Sequence, residues 1–221
     1  MLYKKNSAGA LDRGLFERPT SEYRGAPFWA WNCKVTEDIV DRQTAILKEM
    51  GFGGYHMHSR TGMDAPYLSD EFMALIKRCV EDSKKLGTLA WLYDEDRWAS
   101  GAAGGLVTKT KRFRQRILRM TTKDIVSTLD DKETAVENGT PYFFHAYDVV
   151  LNDKGELERY RLISPDDAAE GKKWFTYCEC VAERGWFNNQ TYVDTLSKEA
   201  IDKFIEITHE RYKEVVGGDF G

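Results

Sequence analysis

Between Pro27 and Leu92, short apolar runs alternate with longer stretches of helical period, and this rhythm constrains the fold more than any other feature. Parallel strands cannot be joined by a tight turn, so each needs a crossover, usually a helix, before the next begins. The first run is Pro27-Phe28-Trp29-Ala30-Trp31-Asn32. Thr36 follows as an N-cap, Glu37 and Asp38 suit the positive helix end, and Ile39, Gln43, Ile46, Leu47 and Met50 share a stripe that Gly51 ends. A second run, Gly53-Gly54-Tyr55-His56-Met57-His58, leads through Arg60, Gly62 and Pro66 to Ser69, which caps a helix. Its stripe is Phe72, Leu75, Ile76, Cys79, Val80 and Leu86, and Gly87 closes it. The third run is Thr88 to Tyr93. A spacing of roughly 25 to 35 residues between strand starts is what βα units require.

After Tyr93 the rhythm breaks. Asp94-Glu95-Asp96-Arg97-Trp98 and a small-residue loop, Ala99 to Gly105, replace the expected helix, and a long β-like stretch follows. Tyr142 to Leu151 and Glu156 to Ile163 flank Asn152-Asp153-Lys154-Gly155 as a hairpin, and Lys173 to Ala182 reads as another strand. Helical period returns after Ser197, with Ile201, Phe204, Ile205, Thr208, Tyr212 and Val215 on one face up to Gly217-Gly218. The expected fold class is α/β: a partial (β/α) TIM-type barrel of three βα units over residues 1–112, an antiparallel β insertion after strand three over 113–190, and a returning barrel helix over 191–221, ending before a fourth strand.

A net charge of −4 lacks the basic field that nucleic acid or an anionic membrane attracts, so neither is expected as a partner. Met1 to Arg13 has no apolar run of signal-peptide length, and the chain reads as cytoplasmic. Cys33, Cys79, Cys178 and Cys180 have no zinc-type spacing and read as free thiols. Asn138-Gly139-Thr140 and Asn189-Gln190-Thr191 fit the glycosylation pattern, but without an export signal read as chance.

In parallel α/β folds, ligands bind where loops leave the C-terminal ends of the strands. Those ends carry Trp29, Trp31 and Asn32; His56, His58, Ser59 and Arg60; and Tyr93, Asp94, Glu95, Asp96 and Trp98. Aromatic faces stack on sugar rings and the polar groups bind hydroxyls, so the mixture suits a carbohydrate. Each residue also has a structural reading. One of Trp29 and Trp31 is expected in the core, leaving Trp31 as the ligand contact; His56 and His58 share a strand face as structural histidines, substrate contacts or a metal pair; Arg60 pairs with the acidic run or with substrate. Alternation lets Asp94 and Asp96 face together while Glu95 points elsewhere. A glycosidase needs two carboxyl groups about 5 to 10 Å apart, so the second belongs on another strand. The loop Ser100 to Gly105 lacks the Lys-Ser/Thr of a phosphate loop and reads as a mobile cover or a close backbone approach, and no Gly-x-Ser-x-Gly elbow is present.

The motifs Pro27 to Asn32, Gly53 to Arg60, Tyr67-Leu68-Ser69, Ala90 to Gly101 and Tyr192-Val193-Asp194-Thr195-Leu196 resemble those of family 106 of the glycoside hydrolases, the α-L-rhamnosidase-like proteins. The match runs over about 27 to 101 and again over about 186 to 221. The resemblance implies a (β/α)8 catalytic barrel acting on deoxysugar or related glycosides, with an inverting mechanism that uses two glutamates and a calcium ion. It also implies that sequence beyond Gly221 supplies the remaining carboxylates. Calcium is therefore expected of the complete family domain and no cofactor of this segment. Glu95 and Asp94 are the candidate catalytic acids, and Trp31, Asn32, His56, His58, Arg60, Tyr93, Asp96 and Trp98 the candidate substrate contacts, for an oligosaccharide or glycoside.

A closed eight-stranded barrel takes roughly 250 residues, so a truncated domain with an unpaired last strand is expected, and that edge invites association with another copy or with missing sequence, or is covered by the β insertion. The rival readings are an inactive carbohydrate-binding relative and a metal-dependent hydrolase using His56 and His58.

Overall fold

The computed structural model describes residues 9–97, 99–185 and 189–220. The chain divides into two compact units, residues 1–104 with 202–221, and residues 105–201.

The first unit is built on a three-stranded parallel sheet in the order β1 (Phe28–Trp31), β2 (Gly54–Ser59), β3 (Leu89–Asp96). A short α1 (Arg13–Glu17) precedes it. The connections are α2 (Glu37–Glu49), capped by the Thr36 hydroxyl, and α3 (Asp70–Leu86), capped by Ser69 and ended by Gly87 in the left-handed conformation. Both caps are those read from the sequence. Trp31, Tyr55 and Met57 point from one sheet face into a core with Phe72, Leu75, Ile76 and Cys79, while the Tyr55 hydroxyl donates to the Cys79 carbonyl at 2.7 Å. Arg78 of α3 holds Asp41 of α2 through two hydrogen bonds of 2.6 and 2.7 Å.

Two sequence expectations are corrected here. Strand three does not stop at Tyr93 but continues through the acidic run to Asp96, with a register shift opposite Met57 and Ser59. The returning segment is not one helix: α5 (Lys198–Ile207) and α6 (His209–Val216) break at Thr208, whose hydroxyl donates to the Phe204 carbonyl at 2.7 Å. Such a bond competes with the helix ladder and bends it. Ala200, Phe204, Thr208 and Tyr212 form the buried stripe, whereas Ile205 is exposed.

The second unit carries a four-stranded antiparallel sheet in the order β4 (Arg116–Thr121), β7 (Lys172–Cys180), β5 (Tyr142–Leu151), β6 (Leu157–Ile163). The hairpin at Asn152 and the strands on either side lie where the sequence puts them. A helix α4 (Lys132–Asn138), capped by Asp131 and ended by Gly139, interrupts the β-like stretch. The molecule is therefore mixed α/β, with one parallel and one antiparallel sheet. No helix among the described residues is long and apolar enough to cross a membrane.

Candidate functional site

Because β1, β2 and β3 run parallel, their C-terminal ends lie along one edge of the sheet. Backbone bonds tie those ends together. The Arg60 amide donates to the Trp31 carbonyl at 2.9 Å, and the Arg97 amide to the Ser59 carbonyl at 3.0 Å. Gly62, with φ +103°, passes so close to the Asn32 carbonyl that a Cβ would sit 2.5 Å from its oxygen. Asn32 and Arg60 are both exposed at this rim.

Alternation sorts the side chains differently from the sequence reading. Residues two apart share a face, so Trp29 and Trp31 both turn toward the helices; Trp31 is 1% exposed and packs on Phe72. Trp31 thus packs in the core, and its indole Nε1 is buried without a hydrogen-bond partner. The opposite face carries Phe28, His56, His58, Trp91 and Tyr93. His56 stacks on Trp91 with centroids 6.0 Å apart. His58 sits between Phe28 at 4.2 Å and Tyr93 at 3.9 Å.

His58 is fully buried, and neither ring nitrogen has a partner in hydrogen-bond geometry. Burial pushes its pKa down to about 4, against a weaker opposing influence of the Arg97 backbone, so the ring is neutral at pH 7. Burial also raises the Tyr93 phenol, with Asp94 and Glu95 adding to the effect. Both rings feel the Arg60 charge, which works against protonation of His58 and favours ionisation of Tyr93.

The three carboxylates at the end of β3 go to three sets of partners. Asp94 accepts from the Ser100 hydroxyl at 2.6 Å and lies 3.1 Å from His209 Nε2. Asp96 accepts from the Ser59 hydroxyl at 2.7 Å. Glu95 is 1% exposed and accepts five backbone N–H groups, from Asp96 and Gly104 on Oε1 and from Gly101, Ala102 and Ala103 on Oε2, at 2.5 to 2.9 Å. Successive amides aimed at one anion form a nest, here filled by the chain's own side chain. The nest is wound tightly: Arg97, Ala99 and Ala103 all have positive φ, at 75°, 63° and 52°. Burial pushes the Glu95 carboxyl up to about 6, and the five donors limit the rise. The loop thus makes a close backbone approach to Glu95, with Ala102 and Ala103 buried.

Trp98 lies outside the described residues. Phe28 and Trp91 were legible from strand parity once Trp31 was assigned to the core. His209 has no such signal, since it reaches Asp94 across 115 positions of sequence. No group of three His, Cys, Asp or Glu side chains among the described residues could hold a metal ion, and His56 and His58 are each engaged with aromatic rings.

No protein-family model matches the sequence, and no curated protein matches it. Among solved structures, the chain is similar to a rhamnosidase from Novosphingobium sp. PP1Y, at 16% sequence identity and a TM-score of 0.41. The likeness covers 65% of this chain and 17% of the rhamnosidase, so the chain spans about a sixth of that structure.

Proposed function

We propose that the C-terminal edge of β1 to β3 is the sugar-recognition part of a glycoside hydrolase of the α-L-rhamnosidase-like kind, and that the parallel sheet is the first arc of a (β/α)-barrel with residues 105–201 inserted after strand three. The observation that carries this reading is His58: a fully buried neutral imidazole whose nitrogens make no well-formed hydrogen bond, with the Arg97 backbone near enough to favour its protonated form, set between aromatic rings at the strand ends where α/β proteins bind ligands. Such a ring offers one donor and one acceptor, which a pair of sugar hydroxyls can meet once the half-exposed Phe28 ring that lies against it moves aside. Phe28, half exposed, offers an apolar face to a sugar ring, and Arg60 and Asn32 supply donors at the rim.

In this reading Asp94, supported by His209 and Ser100, is the carboxylate nearest the sugar. Glu95 is a positioning residue. A pKa near 6 is what a general acid needs, yet a carboxylate that already takes five N–H bonds has little left for a leaving oxygen. Asp96 holds Ser59 at the end of β2.

A second reading, sugar binding without turnover, is favoured by the engagement of all three carboxylates within the chain. Calorimetric titration with L-rhamnose, alongside an assay of aryl α-L-rhamnoside hydrolysis, separates the two. Saturable binding that weakens at least tenfold in His58→Ala and Arg60→Ala is expected. Binding with hydrolysis supports the first reading and binding alone the second; no saturable sugar binding at millimolar concentrations, or binding indifferent to both substitutions, removes the site.

A further inference from the structure

The antiparallel sheet has two unlike faces. On one, Ala146, Ile163 and Phe175 form a small core with Val126, Phe143 and Ala169 packed against it. The other is bare. Leu118 and Met120 of β4, Leu151 of β5, and Leu157, Tyr160 and Leu162 of β6 are 50 to 66% exposed there. Pairing registers put them on the same side: Tyr147 of β5 lies opposite Leu162 and Trp174, and Val149 opposite Tyr160. Between these side chains lies a hollow of about 450 Å³, floored by Tyr147, Val149 and Trp174.

We infer that this face is a self-association surface, on which a second copy of the chain packs its own antiparallel sheet about a two-fold axis. Three properties select that occupant. The side chains lining the hollow include no Asp, Glu, Lys or Arg, and Lys172, opposite Val149 on the same face, stands at the start of β7, so two identical faces meet with little opposition of like charge. A two-fold contact needs such a self-complementary surface, and face-to-face sheets interdigitate at about 10 Å. The exposed portions of the six outer side chains amount to roughly 600 to 800 Å² per copy, near the ~800 Å² per partner of a stable interface, and exceed the patch a typical monomer leaves bare. A small apolar ligand fits less well, because an open sheet face wraps only one side of it, whereas such ligands bury about 70 to 90% of their surface. An anionic membrane would call for a cluster of basic residues around the patch, which Lys172 beside Val149 does not make.

This contact differs from association through an open strand edge, and the two are separable by sedimentation equilibrium of the full chain across about 1 to 100 µM. The expected mass is twice 25.4 kDa at the upper concentrations. Leu118→Glu and Tyr160→Glu each weaken dimerisation at least tenfold, and the double variant stays at 25.4 kDa throughout. Both positions are solvent-facing in the single chain, so the variants keep its circular dichroism spectrum and melting temperature at concentrations where the parent is monomeric. A parent chain that remains monomeric at about 100 µM overturns the inference, as does a dimer that survives the folded double variant.

Discussion

Glu95 on the parallel sheet and Asp148 on the antiparallel one are both buried carboxylates that gather backbone amides of a nearby loop, yet their acidities move in opposite directions. Asp148 accepts from the Glu170 and Gly171 amides at 3.0 and 2.8 Å and from Arg161 Nε at 3.0 Å. The Glu170 amide, aided by Gly171 and the Arg161 guanidinium, holds its carboxyl below the ordinary range. Glu95 accepts five amides but pairs with no cation among the described residues, and burial raises it to about 6. A counterion touching solvent keeps one buried acid ionised cheaply, whereas dipoles alone leave the other carrying part of its desolvation cost. The first arrangement is a loop clasp. The second concentrates an uncompensated charge beside the candidate site.

The strongest test of this contrast is Glu95→Gln. The amide group turns donors toward donors within the 101–104 loop, and a loss of about 3 to 4 kcal/mol in urea unfolding is expected. Asp148→Asn, whose neighbour Arg161 remains able to reach water, destabilises less. Equal losses in the two variants would mean that the nest does not organise the loop.

Next in size is the acid response of His58. Its folded pKa of about 4 lies below the ordinary 6.5, so the unfolded chain takes up the proton first and stability falls as pH drops from about 6.5 to 4. The loss is about 3 kcal/mol and is absent in His58→Phe. Glu95 works the other way over part of this window: its raised pKa means that stability falls as pH rises from about 4.5 to 6, by about 2 kcal/mol. Asp148 has the ordinary sign, contributing stability above the unfolded carboxylate range and losing it as pH falls through its lowered pKa. Unfolding of the parent chain and each variant from pH 7 to 4 resolves these signs. An unchanged pH profile in His58→Phe would show that the histidine is solvated. Gly104→Ala tests the nest locally: with φ +63° and a Cβ 3.2 Å from Tyr67 and Asp96 atoms, it should lower stability by about 1 to 2 kcal/mol.

Much of the first unit was legible in the sequence because its signals are local: Thr36, Ser69 and Gly87 cap what they should, and apolar runs of strand length separate the helices. The continuation of β3 was hidden, since a run of three acids looks like a solvated turn until a loop supplies five amides for the middle one. Strand parity puts Trp29 and Trp31 together on the core face and Phe28 on the opposite one. Helix α4 is too short to impose a period, and the break at Thr208 depends on a hydroxyl–carbonyl bond that no periodicity reports. The contact of His209 with Asp94 is set by tertiary packing alone.

That last contact gives the smallest expected effect on stability and the clearest separation of folding from function. Asp94 and His209 are 26% and 35% exposed, and a polar contact this open contributes about 0 to 1 kcal/mol. His209→Ala should therefore leave the melting temperature nearly unchanged, in contrast to Glu95→Gln. If Asp94 is the carboxylate nearest the sugar, removing His209 frees one of its oxygens to reorient while Ser100 still holds the other. Rhamnose affinity or aryl-rhamnoside turnover then falls at least several-fold in a fully folded protein, and His209→Gln, which keeps a donor near Asp94, recovers part of it. Unaltered sugar binding in folded His209→Ala would detach Asp94 from the site and leave recognition to His58, Arg60 and the aromatic face.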